Sequence, residues 1–181
     1  MLQIKSNNNS VSNLAFRRVY AIMQLAEHDL FSYMQTVGKL HENTASKFLR
    51  HVLSALDYMH SFEIMHRDVK PENIFICGNT AKLGDFGAAC LGLTASDICG
   101  TEDYMAPELL LKSGDPYTYK VDIWACGVLA HEMLTEAVPL GGVPDLSQFA
   151  AAESLVEQLL QINADGRPSA REALLHPWLG N

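Results

Sequence analysis

The run from Val121 to Leu134 limits the fold more than any other stretch of the 181 residues. It is apolar almost all the way round, and a helix without a polar face has to be buried. The rest of the chain must therefore wrap it. The run contains Asp122, His131 and Glu132 and is too short to span a bilayer. A partner helix is legible from Thr44 to His60. There Ala45, Phe48, Leu49, Val52, Leu53, Leu56 and Met59 recur at three- and four-residue spacing and make one apolar face. Asn43 or Thr44 can cap it. An apolar content of 48% fits a globular chain, and the length favours one domain with a minor lobe.

The remaining elements are shorter. Ser6 to Asn13 is rich in Asn and Ser and reads as a loop. Val19-Tyr20-Ala21-Ile22-Met23 reads as a strand, and a short helix follows near Asp29 to Met34. Ile74-Phe75-Ile76 and Ala81-Lys82-Leu83 flank Gly78-Asn79, the pattern of a β-hairpin with a tight turn. Glu153 to Ile162 and Ala170 to Leu175 read as helices, with Asp165-Gly166-Arg167-Pro168 between them. The fold class is thus mainly α with a small β-hairpin.

The net charge of −8 argues against a nucleic-acid partner or an anionic membrane surface and favours cationic peptides. Cys77, Cys90, Cys99 and Cys126 form no C-x-x-C pair, so zinc is not expected. Their scatter reads as free thiols in a reducing compartment. Residues 1–10 lack the apolar core of a secretory signal, which leaves the cytoplasm or nucleus as the expected location.

Three motifs carry the chemistry. His66-Arg67-Asp68-Val69-Lys70-Pro71-Glu72-Asn73 comes first, then Asp85-Phe86-Gly87, then Ala106-Pro107-Glu108. Together they resemble the catalytic loop, metal-binding turn and activation-segment end of a eukaryotic-type protein kinase. The Lys-Pro-Glu-Asn wording is similar to serine/threonine kinases. His176-Pro177-Trp178 is close in wording to the calcium/calmodulin-dependent group.

The resemblance implies transfer of the ATP γ-phosphate to a Ser or Thr of a protein substrate. It implies that Asp68 accepts the hydroxyl proton, that Lys70 stabilises the transferring phosphate, and that Asn73 and Asp85 hold Mg²⁺ with hard oxygen ligands. Met23 takes the gatekeeper position, and Gln24, Leu25 and Ala26 the hinge that faces adenine. Phe75 takes the position beneath the adenine ring. Asp29 takes a ribose- or substrate-contacting position; its residue type equally suits a helix N-cap. Glu72 and the acidic balance lean towards Arg or Lys near the target hydroxyl.

Other positions carry supporting roles by the same resemblance. His66 packs against Phe86 and is structural, not an acid–base group. Arg67 is the residue that binds a phosphorylated activation segment, and Asp97 either stands in for that phosphate or is a solvated loop residue. Ser96 and Thr94 are candidate phosphosites, and Thr101 bridges Asp68 and Lys70. Glu108 pairs with Arg167. Asp122, first in an Asp-Ile-Trp-Ala-Cys-Gly signature, bonds back to the catalytic-loop backbone; an unpaired buried carboxylate would cost several kcal/mol. An exposed Asp in the first helical turn is the alternative.

Residues 29–181 then correspond to a kinase C-lobe, 19–28 to the last N-lobe strand and the hinge, and 1–18 to an N-lobe remnant or loop. The chain contains no G-x-G-x-x-G and no V-A-I-K before Val19, and Lys5, Arg17 and Arg18 read as solvated charges. The segment from Thr135 to Ala150 is short for the family, and Glu102-Asp103 replaces its usual Pro-Glu. An N-lobe that is largely absent leaves the hinge edge and adenine floor open, which invites a covering partner. A catalytically impaired scaffold and a piece of a longer kinase are the competing readings.

Overall fold

The computed structural model describes residues 3–4, 21–111, 114–139 and 146–180. At its centre is α4, Lys120–Thr135, in which thirteen residues from Val121 to Leu134 are buried. The expected burial of this helix follows from its lack of any polar face. Helix α2, Glu42–His60, lies against it with Phe48, Leu49, Val52, Leu53 and Leu56 inward. Helix α5, Ala150–Leu159, packs on α4 closely enough that a Cβ on Gly127 would come within 2.7 Å of the Leu160 side chain. Helices α1, Leu30–Val37, α3, Pro107–Leu110, and α6, Ala170–Ala173, complete the bundle.

The described residues also form three small antiparallel sheets. β1, Gln3–Ile4, pairs with β2, Ala21–Ile22. β3, His28–Asp29, β5, Ile74–Cys77, and β6, Thr80–Leu83, form the second sheet in the order β3-β5-β6. β4, Ile64–Met65, pairs with β7, Cys90–Leu91. The β5–β6 hairpin turns at Gly78 and Asn79, with Gly78 at φ 58° where a side chain would be strained.

Several boundaries differ from the sequence reading. Helix α2 starts at Glu42, and its N-cap is His41, whose Nδ1 accepts from the Asn43 N–H at 3.4 Å; neither Asn43 nor Thr44 is the cap. Helix α1 runs three residues further than expected, to Val37, because nothing before Gly38 stops it. Helix α5 ends at Leu159, and α6 ends at Ala173, before Leu175. The described part of the Val19–Met23 strand is Ala21–Ile22, and Val19 and Tyr20 lie outside the described residues. The 1–18 segment lies outside them too, apart from the pairing of Gln3–Ile4. So does part of the Thr135 to Ala150 segment.

The C-terminal residues clasp α2. The Trp178 indole N–H donates to Glu42 at 2.9 Å, the Ser46 hydroxyl donates to the Trp178 carbonyl at 2.6 Å, and Arg50 donates to the Gly180 carbonyl at 2.8 Å. This clasp holds the N-terminal half of α2, and the loop that leaves the other end, after His60, carries His66 to Asn73.

Candidate active site

The loop from His66 to Asn73 is held from below by one carboxylate. Asp122 lies in the first turn of α4 with its side chain fully buried. Its Oδ2 accepts from the His66 N–H at 2.9 Å and its Oδ1 from the Arg67 N–H at 2.7 Å. His60 Nε2 meets Oδ2 at 2.8 Å. Two adjacent amides turned to one acceptor require a sharp bend, and Arg67 supplies it at φ 69°, a conformation unusual for a residue with a Cβ. His66 is fully buried; its Nδ1 accepts from the Asp68 N–H at 3.3 Å and its Nε2 lies 2.9 Å from the Gly84 carbonyl. That pair of contacts assigns the proton to Nε2. The ring meets Phe86 edge-on at 5.6 Å.

Asp68 follows the bend, and three side chains converge on it. Asn73 Nδ2 donates to the Asp68 carbonyl at 2.8 Å and to Oδ2 at 2.9 Å. The Thr101 hydroxyl donates to Oδ1 at 2.9 Å, and Lys70 Nζ donates to the Thr101 Oγ1 at 2.7 Å. Lys70 Nζ also stands 3.3 Å from Asp68 Oδ2. Partial burial pushes the Asp68 pKa upward, but the bonds from Thr101, Asn73 and Lys70 outweigh it and hold the carboxyl below its ordinary value. Thr101 reaches Asp68 because Gly100 touches the loop: at φ 103°, a Cβ there would sit 2.4 Å from the Arg67 carbonyl. Only glycine tolerates that approach.

The Gly84 N–H donates to the Asn73 carbonyl at 2.9 Å, which brings Asp85 beside the loop. Asp85 sits at φ 53°, accepts from the Gly87 N–H at 3.1 Å and has no cation partner among the described residues. With its Nδ2 spent on Asp68, Asn73 keeps its amide oxygen for another ligand. Among the described residues no three His, Cys, Asp and Glu side chains converge as metal ligands. A metal here would rest on Asn73, Asp85 and oxygens from outside the chain. That donor set fits Mg²⁺, which is bound by one or two protein oxygens plus water and phosphate.

The far end of Arg67 is tied to the segment that follows Asp85. Its Nε donates to the Ala88 carbonyl at 2.7 Å and its Nη1 to Asp97 at 2.6 Å and to the Tyr117 hydroxyl at 3.0 Å. Tyr117 in turn donates to the Asp97 carbonyl at 2.7 Å and joins Ala95 by two backbone bonds. The Arg67 bond lowers the Asp97 pKa. Burial pushes the Tyr117 phenol up to about 12, so it is a proton donor at neutral pH.

The sequence that builds this loop has counterparts among known proteins. The model of the protein kinase domain matches residues 9–179. The chain belongs to the protein kinase family.

The serine/threonine-protein kinase DCLK1 of Rattus norvegicus is 34% identical over 191 residues, which cover 90% of this chain and 44% of that protein. A probable serine/threonine-protein kinase of Encephalitozoon cuniculi is 36% identical over 161 residues, with 88% of this chain and 31% of that protein covered. An Aurora kinase of Schizosaccharomyces pombe is 32% identical over 186 residues, covering 90% and 51%. The chain therefore spans between 31% and 51% of the length of these three relatives. Protein kinases use ATP and a divalent metal and act on protein substrates.

The other kinase positions fall in two groups. Arg167 is fully buried and forks onto Glu108 at 2.7 and 2.8 Å, with further bonds to the carbonyls of Lys120, Gln161 and Ile162. Phe75 is half-buried on β5, its ring lying where a Cβ on Gly84 would come within 2.6 Å. Asp29 caps α1: it accepts from the Ser32 N–H at 2.7 Å and from its hydroxyl at 2.9 Å. The hinge side is open instead, with Met23 68% and Leu25 91% exposed. Gln24 is exposed and accepts from Lys82 at 2.5 Å, while Ala26 is half-buried.

Four site residues were missed by the sequence reading. His60 and Tyr117 bind Asp122 and Arg67, as described above. Tyr104 donates a short bond to Glu132. Burial pushes the Glu132 carboxyl above its ordinary value, and the neighbouring Glu72 and Asp103 push the same way. A carboxylate inside an otherwise apolar helix was the available signal for Glu132. For Tyr104 and Tyr117 there was none.

Proposed function

We propose that this chain carries the phosphate-transfer chemistry of a serine/threonine protein kinase. The observation that supports it best is the convergence of Lys70, Thr101 and Asn73 on Asp68. Asp68, kept ionised by those partners, accepts the proton of a substrate Ser or Thr hydroxyl and orients its oxygen. Lys70 balances negative charge on the transferring phosphate. Asn73 and Asp85 hold Mg²⁺ with their oxygens; ATP supplies the phosphoryl group and Mg²⁺ the charge neutralisation. Gln24, Leu25 and Ala26 bound the adenine side, with Met23 behind them, Phe75 beneath, and Asp29 and Glu72 at the rim.

The grouping of Glu72, Asp103 and Glu132 supports a preference for Arg or Lys near the target hydroxyl. Asp97, already bound by Arg67, fits the role of a built-in substitute for an activation-segment phosphate. Exposed Ile22, Met23 and Leu25 support a partner that covers the hinge edge. Four free thiols support a reducing compartment, the cytoplasm or the nucleus.

The test is transfer of labelled phosphate from ATP to a basic Ser/Thr peptide. Asp68→Asn is expected to lower the rate by about 10²–10⁴, and Asp85→Asn to abolish transfer at low Mg²⁺. Equal signal in both variants and the unsubstituted chain overturns the proposal. Nucleotide binding without transfer leaves a scaffold as the reading.

A further inference from the structure

Strand β6 is the edge of its sheet, which runs in the order β3-β5-β6. In an antiparallel pair every second N–H of an edge strand points away from its neighbour and needs another acceptor. At the buried Ala81 that acceptor is a side chain of α2: the N–H donates to His51 Nδ1 at 3.2 Å. The neutral ring therefore carries its proton on Nε2. His51 is half-buried, and the core residue Phe48 packs beside it, ring centroids 6.5 Å apart. The hairpin that this bond ties down carries Asn73 and Asp85 at its two ends. Asn73 immediately precedes β5, Asp85 comes two residues after β6, and the Gly84 N–H joins the ends by donating to the Asn73 carbonyl at 2.9 Å.

An imidazolium has an N–H on both nitrogens and cannot accept from Ala81. Burial pushes the His51 imidazole below its ordinary value, and Lys47 and Arg50 on the same helix push the same way. On β6 the charged residue is Lys82, whose ammonium is bound to Gln24. Helix α1, which reaches Phe48 through Tyr33, carries no charged side chain between Leu30 and Val37. Among the described residues no carboxylate counters these cations at the ring. The ring is thus neutral at neutral pH and the bond is made. Below the ordinary imidazole value the unfolded chain binds the proton more readily than the folded one, so the fastening weakens as pH falls.

We propose that His51 is a positioning residue for the metal end of the phosphate-transfer site: its neutral ring fastens the β5–β6 hairpin to α2, and its protonation lets the hairpin go. The consequence rests on the kinase reading; the fastening does not. His51 touches no reacting atom. Release acts through β6 on Gly84, and so on the spacing of Asn73 and Asp85. Asp68 is held below its ordinary carboxylate value, so a loss of transfer in the histidine range is not its titration. The effect falls on the Mg²⁺ concentration needed for half-maximal transfer. Losing a group that bonds a metal ligand directly typically costs about 10–100-fold in metal affinity. His51 stands one step further out, and the expected change is about three- to tenfold.

The experiment compares the full chain with His51→Gln and His51→Leu between about pH 7.5 and about pH 5.5. Glutamine offers an amide oxygen to the Ala81 N–H and does not titrate; leucine fills the space and accepts nothing. Two quantities are read. One is the Mg²⁺ concentration for half-maximal transfer of labelled phosphate. The other is hydrogen-exchange protection at the Ala81 and Gly84 amides, corrected for the intrinsic pH dependence of exchange. In the unsubstituted chain, protection of both amides is expected to fall and the Mg²⁺ requirement to rise about three- to tenfold as pH falls. His51→Gln is expected to hold both quantities near their neutral-pH values, and His51→Leu to show the low-pH behaviour throughout. A His51→Gln chain that loses protection with pH as the parent does overturns the release on protonation. Loss of protection at Ala81 with Gly84 still protected, or an unchanged Mg²⁺ requirement in His51→Leu, overturns the positioning role. An unsubstituted chain that transfers no phosphate counts against the kinase reading, and exchange at Ala81 and Gly84 then decides the role of His51.

Discussion

Asp122 and Asp97 hold opposite ends of the same residue. Asp122 takes the Arg67 backbone N–H at 2.7 Å, and Asp97 takes its guanidinium at 2.6 Å. The distances are alike and the surroundings are not: the Asp122 side chain is fully buried, whereas that of Asp97 is 66% exposed. Water can replace what Asp97 offers and cannot reach what Asp122 offers. Burial, not bond length, therefore separates a carboxylate that holds the fold from one that can only tune it.

The sharpest way to break this contrast is Asp122→Ala. It strands the His66 and Arg67 amides and the His60 imidazole in the core. At roughly 1–3 kcal/mol for each of these three stranded donors, the expected loss is at least about 3 kcal/mol of stability. Denaturant midpoints with an unchanged slope measure it. A loss under about 1 kcal/mol would put Asp122 in the same class as a surface pair.

The same contrast explains what could be read from the chain. Helix α4 was legible because a stretch with no polar face has only one environment open to it, and α2 because its apolar residues keep one face. The burial of Asp122 was legible for a related reason, since a first-turn carboxylate surrounded by apolar residues must find donors. The donors themselves were not. Two are backbone amides that point the right way only because Arg67 adopts a positive φ, and the third is a histidine at a helix end, a position that usually reads as a favourable charge on the last turn. The tie between Ala95 and Tyr117 is an isolated bridge with no periodic pattern behind it. Helix ends were misjudged for local reasons: His41, not a conventional cap residue, starts α2. The acidic grouping around Glu132 depends on three separate elements meeting, which no single stretch reveals.

Glu132 lies between the two extremes, and its pH dependence can be worked out. Burial, with Glu72 and Asp103 nearby, raises its folded-state pKa above the ordinary carboxylate value. Between the two values the folded chain binds more protons than the unfolded one, so stability falls as pH rises through that window. The deficit persists at neutral pH. Glu132→Gln keeps an acceptor for Tyr104 and removes the charge. It is expected to be more stable than the unsubstituted chain at pH 7, by less than the Asp122→Ala loss, and to lose that advantage towards pH 4. Chemical denaturation at the two pH values checks it; an advantage that does not grow with pH contradicts the repulsion argument.

The smallest structural effect belongs to Asp97. Its carboxyl is solvated, so Asp97→Ala should leave the thermal midpoint within the scatter of the measurement. Its effect on transfer should be visible all the same, because Arg67 would lose one of the bonds that gather Ala88, Asp97 and Tyr117 around one guanidinium. Tyr117 still bridges the segment through Ala95, which keeps the expected loss of activity to less than about tenfold, and without the exposed Arg67–Asp97 pair Asp97→Ala should be less sensitive to added salt than the parent. A charged substitute such as Asp97→Glu should recover most of it. If Asp97→Ala changes neither transfer nor its salt dependence, Asp97 is a solvated loop residue and no substitute for a phosphate. If it lowers the thermal midpoint as Asp122→Ala does, then exposure is not what separates the two carboxylates, and the division drawn between them is wrong.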